Sequence, residues 1–361
     1  MSQLARMPRV TAIGPLAAWS CLCAAMFASF ASPAANAQLD ASGWTSQVIN
    51  LPSTSAGERP PVATSVALHP DGSTLVIAGD DHVVYLWDMR TQQFTKRLRG
   101  HRDWVRTVTY SPNGKVLASA GNDHHIILWE TTAATPLRKT LAMNVAVVTV
   151  AFSPDGSQLA AIGFNKVMRL FDTATGSTIR ELACPCVDMR ALAWSPDGRF
   201  IAAAGRNGKV RLWDAVSGVT GQEFKTHEQR VRDLAFSPDG LRLVTASEDR
   251  TIRVTDLASG DEFVLATGNA KVMAIAFCGP ALLASGGSDN TVRIWNLKER
   301  TEVARLAGHT GSVAALAYGG ELLISSGYDS TVRVWTRERS IAESTPATTP
   351  RVGALPLPRL E

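Results

Sequence analysis

Serine, histidine and aspartate, the residue types of an acyl-transfer triad, occur in this chain as sets: His101, Ser119 and Asp123, then His309, Ser325 and Asp329. His227, Thr245 and Asp249 keep the same order with a threonine in place of serine. In a hydrolase the histidine takes the proton of the serine hydroxyl while the carboxylate holds the imidazole in the productive tautomer. A catalytic set is needed once, so its recurrence along one chain points to a scaffold role.

Two other groupings invite a metal or redox reading. His124-His125 lies beside Asp123, but consecutive strand residues face opposite sides and no Cys or Glu stands beside them, so a turn pair is the simpler reading. Cys184, Cys186 and Cys278 lie outside the N-terminal segment that holds Cys21 and Cys23. Their odd number leaves at least one thiol unpaired within a monomer. Cys184-Pro185-Cys186 is compatible with free thiols, a strained local disulfide or a soft-metal site, in that order.

These residues must be positioned by short strands. In the stretch from Gly100 to Trp129, apolar residues alternate over Val105 to Tyr110, Val116 to Ala120 and Ile126 to Trp129, a period of two that predicts strands. Ser111-Pro112-Asn113-Gly114 and Asn122-Asp123-His124 supply the reversals between them. The pattern repeats: prolines stand at 70, 112, 154, 196, 238 and 280, at intervals of 42 residues. The third strands end at Trp87, Trp129, Phe171, Trp213, Thr255, Trp295 and Trp335, the last two intervals shortening to 40 where AFCGPA and AYGGE replace the longer turn. Seven repeats of this period mark a repeat architecture.

Asp80-Asp81 through Leu86-Trp87-Asp88, Gly205 through Leu212-Trp213-Asp214, Gly100-His101, Gly308-His309 and the SPDG turns resemble the WD-repeat family of β-propellers. The resemblance covers most of the chain and implies an all-β fold, a seven-bladed propeller of four-stranded antiparallel blades over 44–337. It also implies that each repeat gives the outer strand of one blade and the three inner strands of the next. Outer strands are expected at 94–98, 137–141, 178–182, 222–224, 262–266 and 302–306. The seventh must come from elsewhere, and WTSQVINL at 44–51 is the natural donor, so the ring is expected to close through an N-terminal strand that removes the free edges.

The family's hydrogen-bonded tetrad of His, Ser or Thr, Asp and Trp carries over in full onto His101, Ser119, Asp123 and Trp129, and onto His309, Ser325, Asp329 and Trp335. Blade five has Thr255 at the tryptophan position, blade six lacks the histidine, and blades three and four have Asn165 and Asn207 where the aspartate belongs. The same resemblance implies partner binding on the top rim. Positions just before the innermost strands and before the tetrad aspartates place Trp104, Arg230, Arg206 and Tyr328 there, an aromatic and arginine mix typical of interface hot spots.

Composition sets the remaining expectations. Hydrophobic residues make up 45% and charged residues 19%, enough apolar material for a sizeable core, which excludes global disorder. The formal net charge is +4, and Lys and Arg are spread along the repeats, so no nucleic-acid partner is expected. Arg6 and Arg9, the uncharged run from Ala12 to Phe30 and Ala35-Asn36-Ala37 read as a cleavable signal peptide over 1–37. A linker at 38–43 and a Pro-rich disordered tail at 338–361 complete the domain reading. The chain is thus expected to be a periplasmic or secreted, monomeric, non-catalytic protein-interaction scaffold, without a cofactor or metal and free of the membrane after signal cleavage. The alternative is a propeller enzyme or small-ligand sensor with its site at the channel mouth.

Overall fold

The computed structural model describes residues 38–39, 43–53, 59–131 and 138–337. The expected signal segment at 1–37 and tail at 338–361 lie outside the described residues.

The described residues form seven antiparallel sheets, six of them meanders of consecutive strands. Blade two shows the plan: Val105–Tyr110, Val116–Gly121, His125–Glu130 and Arg138–Ala142 follow one another from the inside outward. Its turns explain the repeat. In blade two the Ser111 hydroxyl donates to Asn113 and accepts from the Val116 N–H, and Gly114 takes the positive φ of 71° that closes the reversal. Ser153, Ser195 and Ser237 do the same with Asp155, Asp197 and Asp239.

The seventh blade is composite. Val313–Gly319, Leu322–Gly327 and Thr331–Arg337 are completed by Trp44–Asn50, which pairs antiparallel from Trp44 opposite Arg337 to Asn50 opposite Thr331. The expected N-terminal closure is therefore the observed one. Gln38–Leu39, read from sequence as part of a linker, instead adds a short fifth strand opposite Thr45 and Ser46.

Buried side chains form seven apolar clusters, one at each junction between neighbouring blades. The closing junction joins Ile49 and Leu51 of the N-terminal segment and Ile324, Val332 and Val334 of blade seven to Val66, Leu75 and Ile77 of blade one. Each strand alternates between its two faces, so both faces are apolar and no blade can bury its surface alone.

All seven innermost strands share one irregularity, a register shift after the first residue. The extra residue of such a bulge leaves the ladder and its side chain is re-aimed. In order round the ring these residues are Thr64, Arg106, Val148, Arg190, Arg232, Met273 and Ala314.

Candidate functional site

The two full tetrads assemble as continuous hydrogen-bond chains. In blade two the Trp129 indole N–H donates to Ser119 Oγ at 2.8 Å, the Ser119 hydroxyl meets His101 Nε2 at 2.7 Å, and His101 Nδ1 meets Asp123 Oδ2 at 2.9 Å. Blade seven repeats this with Trp335 on Ser325 at 2.8 Å, Ser325 on His309 Nε2 at 2.7 Å and His309 Nδ1 on Asp329 Oδ2 at 2.9 Å. A carboxylate only accepts, so the imidazole N–H is on Nδ1, and the serine hydroxyl donates to the bare Nε2. Burial pushes the Asp123 carboxyl upward, but the Arg102 N–H and His101 hold it below the ordinary carboxylate range. Asp329 is held below that range in the same way, by His309 and the Thr310 N–H.

This arrangement has no nucleophile to offer. Ser119 and Ser325 are fully buried, and each oxygen already accepts an indole N–H, so the Ser-His-Asp sets satisfy buried polar atoms. Where members are missing, substitutes appear. Blade five keeps His227 at 2.8 Å from both Thr245 and Asp249, while Thr255 turns to Glu262. Blade six lacks the histidine, and Arg293 holds Asp289 at 2.5 Å while Trp295 donates to Ser285. In blade one Tyr85 donates its hydroxyl to Asp81. Blade three places buried Met143, Ala161 and Phe171 at the His, Ser and Trp positions.

The concave feature of interest is the mouth of the central channel, a cavity of about 250 Å³. Trp104 and Tyr328, two of the four residues expected on the partner rim, line it and are 46% and 51% exposed. Trp104 is fixed by its backbone: its carbonyl accepts the Asn122 N–H at 2.9 Å, and a Cβ on Gly121 would collide with that carbonyl. Glycine is required there for close approach.

A model for the IFT122 first beta-propeller matches residues 62–278, more than half of the chain, and one for the WD domain, G-beta repeat, matches residues 263–296 and 300–336. The chain belongs to the WD-repeat β-propeller family. It is also 37% identical over 54 residues to the Lissencephaly-1 homolog of Monosiga brevicollis, a match that spans 15% of this chain and 13% of that relative. WD-repeat propellers generally mediate protein–protein interaction and are typically non-catalytic scaffolds.

The other two expected partner residues of this WD-repeat propeller sit differently. Arg230 is clamped at the rim between Asp188 at 2.8 Å and Glu248 at 3.1 Å, and Arg206 is exposed with no ion pair among the described residues; neither lines the channel mouth. The bulge is the reason. It turns the residue after the strand's first apolar position inward, so Arg106, Arg190 and Arg232 line the channel, and sequence reasoning missed all three. The signal was present, since these arginines fall at intervals of 84 and 42 residues, but simple alternation assigns them to a sheet face.

Cys184, Cys186 and Cys278 are free thiols, and burial pushes Cys184 and Cys278 up to about 12, which makes both unreactive. Among the described residues, no three His, Cys, Asp or Glu side chains converge as metal ligands.

Proposed function

We propose that this WD-repeat propeller acts outside the cytoplasm, in the periplasm or as a secreted protein, as a non-catalytic scaffold that binds a protein partner on the face carrying the channel mouth. The observation that carries this reading is the pair Trp104 and Tyr328, large aromatics exposed on the rim of a rigid ring. Aromatic anchors at a fixed concave site contribute most where little conformational freedom is lost on docking. Arg206 and Arg230 flank this face. Export rests on the basic, apolar and A-x-A pattern of residues 1–37, and the mature chain acts as a monomer that needs neither nucleic acid nor membrane.

Crosslinking capture from an envelope fraction tests the face. Trp104→Ala combined with Tyr328→Ala is expected to remove specific partners from the captured set, and identical sets for native and variant protein would defeat the assignment. For export, N-terminal sequencing of the mature protein is expected to start at Gln38; an uncleaved cytoplasmic product would refute it.

A further inference from the structure

The bulge residues give the channel wall a charged arc and an uncharged one. Blades two, four and five contribute Arg106, Arg190 and Arg232, with Val148 of blade three between the first two, whereas blades six, seven and one contribute Met273, Ala314 and Thr64. Around the arginine side, carboxylates are outnumbered. Asp188 pairs with both Arg190 and Arg230, and Glu248 with Arg230, Arg232 and Lys271. Among the described residues Arg106 has no carboxylate partner and uses Nε alone, on the Asn122 side-chain carbonyl. Asp103 is the further acid near it, and Asp233, in the wall below, spends both oxygens on the Leu234 and Ile275 N–H groups.

The free guanidinium ends are held in place. Phe164 lies between Arg106 and Arg190, whose guanidinium carbons are 5.6 Å and 4.9 Å from its ring centre. Stacking on an aromatic face fixes a guanidinium plane and leaves its terminal N–H groups open. Arg190 spends Nε on Asp188, so its fork, like that of Arg106, meets no acceptor among the described residues. Burial, and then the nearby Arg190 charge, depress the Arg106 guanidinium below its ordinary range, a repulsion that a bound anion would relieve.

Resting on the reading that this face binds a protein, we propose that the channel mouth recognises an acidic segment of the partner, its carboxylates taken by the open forks of Arg106 and Arg190 with Arg232 beside them and Trp104 and Tyr328 against its flanks. A fork of parallel N–H donors matches a carboxylate bidentately. The cavity of about 250 Å³ falls below the usual range for drug-sized ligands, so it takes side chains of a segment and not a folded surface. The inorganic phosphate ion shares this chemistry, and the test separates the two.

Fluorescence anisotropy of a labelled hexaglutamate peptide on the full chain at low salt supplies that test, with hexaglutamine and inorganic phosphate as comparators. Hexaglutamate is expected to bind and hexaglutamine not to. Arg106→Gln with Arg190→Gln should weaken binding at least about tenfold, the loss of about 1.4 kcal/mol, without lowering the melting temperature, while Lys115→Gln, in the exposed turn after blade two's innermost strand, changes it less than about twofold. Should the double variant fold poorly, Arg190→Lys is the substitute, expected to keep the charge and lose part of the affinity with the fork. Equal binding of hexaglutamine, no peptide binding, peptide binding indifferent to these variants, or saturation by phosphate alone overturns the inference. If partner capture still depends on Trp104 and Tyr328 in that event, the interaction face stands and only its acidic ligand falls; if capture ignores those aromatics, both fall.

Discussion

Blades seven and three solve the same packing problem with opposite chemistry. At four equivalent positions blade seven has His309, Ser325, Asp329 and Trp335, joined by hydrogen bonds, whereas blade three has Met143, Ala161, Asn165 and Phe171. In blade three the first, second and fourth are buried and apolar. Blade three is a four-stranded meander, and blade seven sets its three consecutive strands against Trp44–Asn50 and the short Gln38–Leu39 strand. A buried polar network is stable when every member is satisfied, and an apolar set is stable when no polar atom is left over; a mixture is worse than either. Blade three replaces the buried members of the set together with apolar residues, whereas blades five and six lose one member each and the remaining polar atoms find other partners.

The largest effect separating the two blades is expected from removal of Trp44–Asn50. Blade seven is completed from the other end of the chain and blade three by its own following strand. Deletion would uncover Thr331–Arg337 and empty Ile49 from the closing core, a loss on the order of 5–10 kcal/mol from apolar burial and pairing together. Calorimetry should show a large drop in melting temperature, and an unchanged melt would refute closure by this strand.

Next in size is His309→Ala, which takes the imidazole partner from both Asp329 and Ser325 in a buried site, leaving Asp329 to the Thr310 and Thr331 donors and Ser325 to the Trp335 indole, and should destabilise by about 3 kcal/mol at neutral pH. The Asp329 carboxyl is held below its ordinary range in the folded state by His309 and backbone N–H groups. Its contribution is therefore present above the unfolded value of 3.8 and disappears as pH falls through the folded one. The deficit of His309→Ala should thus shrink towards low pH. Met143→Ala in blade three, a cavity of about 2–3 kcal/mol, should show the same deficit at every pH. Denaturant titrations across the acid range distinguish the two, and parallel curves would mean that the polar chain adds no ionic stabilisation.

Asp233 sharpens the contrast from the channel side. Burial raises its carboxyl to about 6, so the folded state holds the proton more tightly than the unfolded one, and stability is lost as pH rises through that value. At the equivalent place in blade one, Ser65 Oγ accepts the Val108 N–H of the next blade. Asp233→Ser should therefore gain on the native protein between pH 4 and 7, by about 1–3 kcal/mol; a difference independent of pH would show that Asp233 is ionised without penalty. The smallest change is Ala161→Ser, expected to cost about 1–2 kcal/mol by placing an unpartnered hydroxyl among apolar neighbours. If it proves neutral, blade three tolerates half a tetrad and the set argument fails.

Legibility followed locality. The strand positions and the outer strand Glu262–Ala266 could be read because alternation and turn chemistry act over a few residues. The members of both full tetrads were legible through the resemblance to the WD-repeat family, because each of those two repeats carries the whole motif at the family's positions. Arg106, Arg190 and Arg232 were missed because the bulge shifts each by one residue against its partner strand, and a one-residue shift reverses the face of a side chain. Arg230 was taken for a free binding residue because nothing in sequence announces that Asp188, 42 residues away, will clamp it.

By itself, then, the sequence determined seven strand-rich repeats by their period, and its resemblance to the WD-repeat family supplied the blades, the members of their polar chains and, with one strand left without a partner, the closure of the ring. The tertiary structure alone decided that Thr255 turns away from its blade's histidine, that Arg293 takes a histidine's place on Asp289, and that three arginines face one side of a channel. Those outcomes depend on which side chains from different blades come within a few ångströms of one another, and closing the ring is what sets those distances.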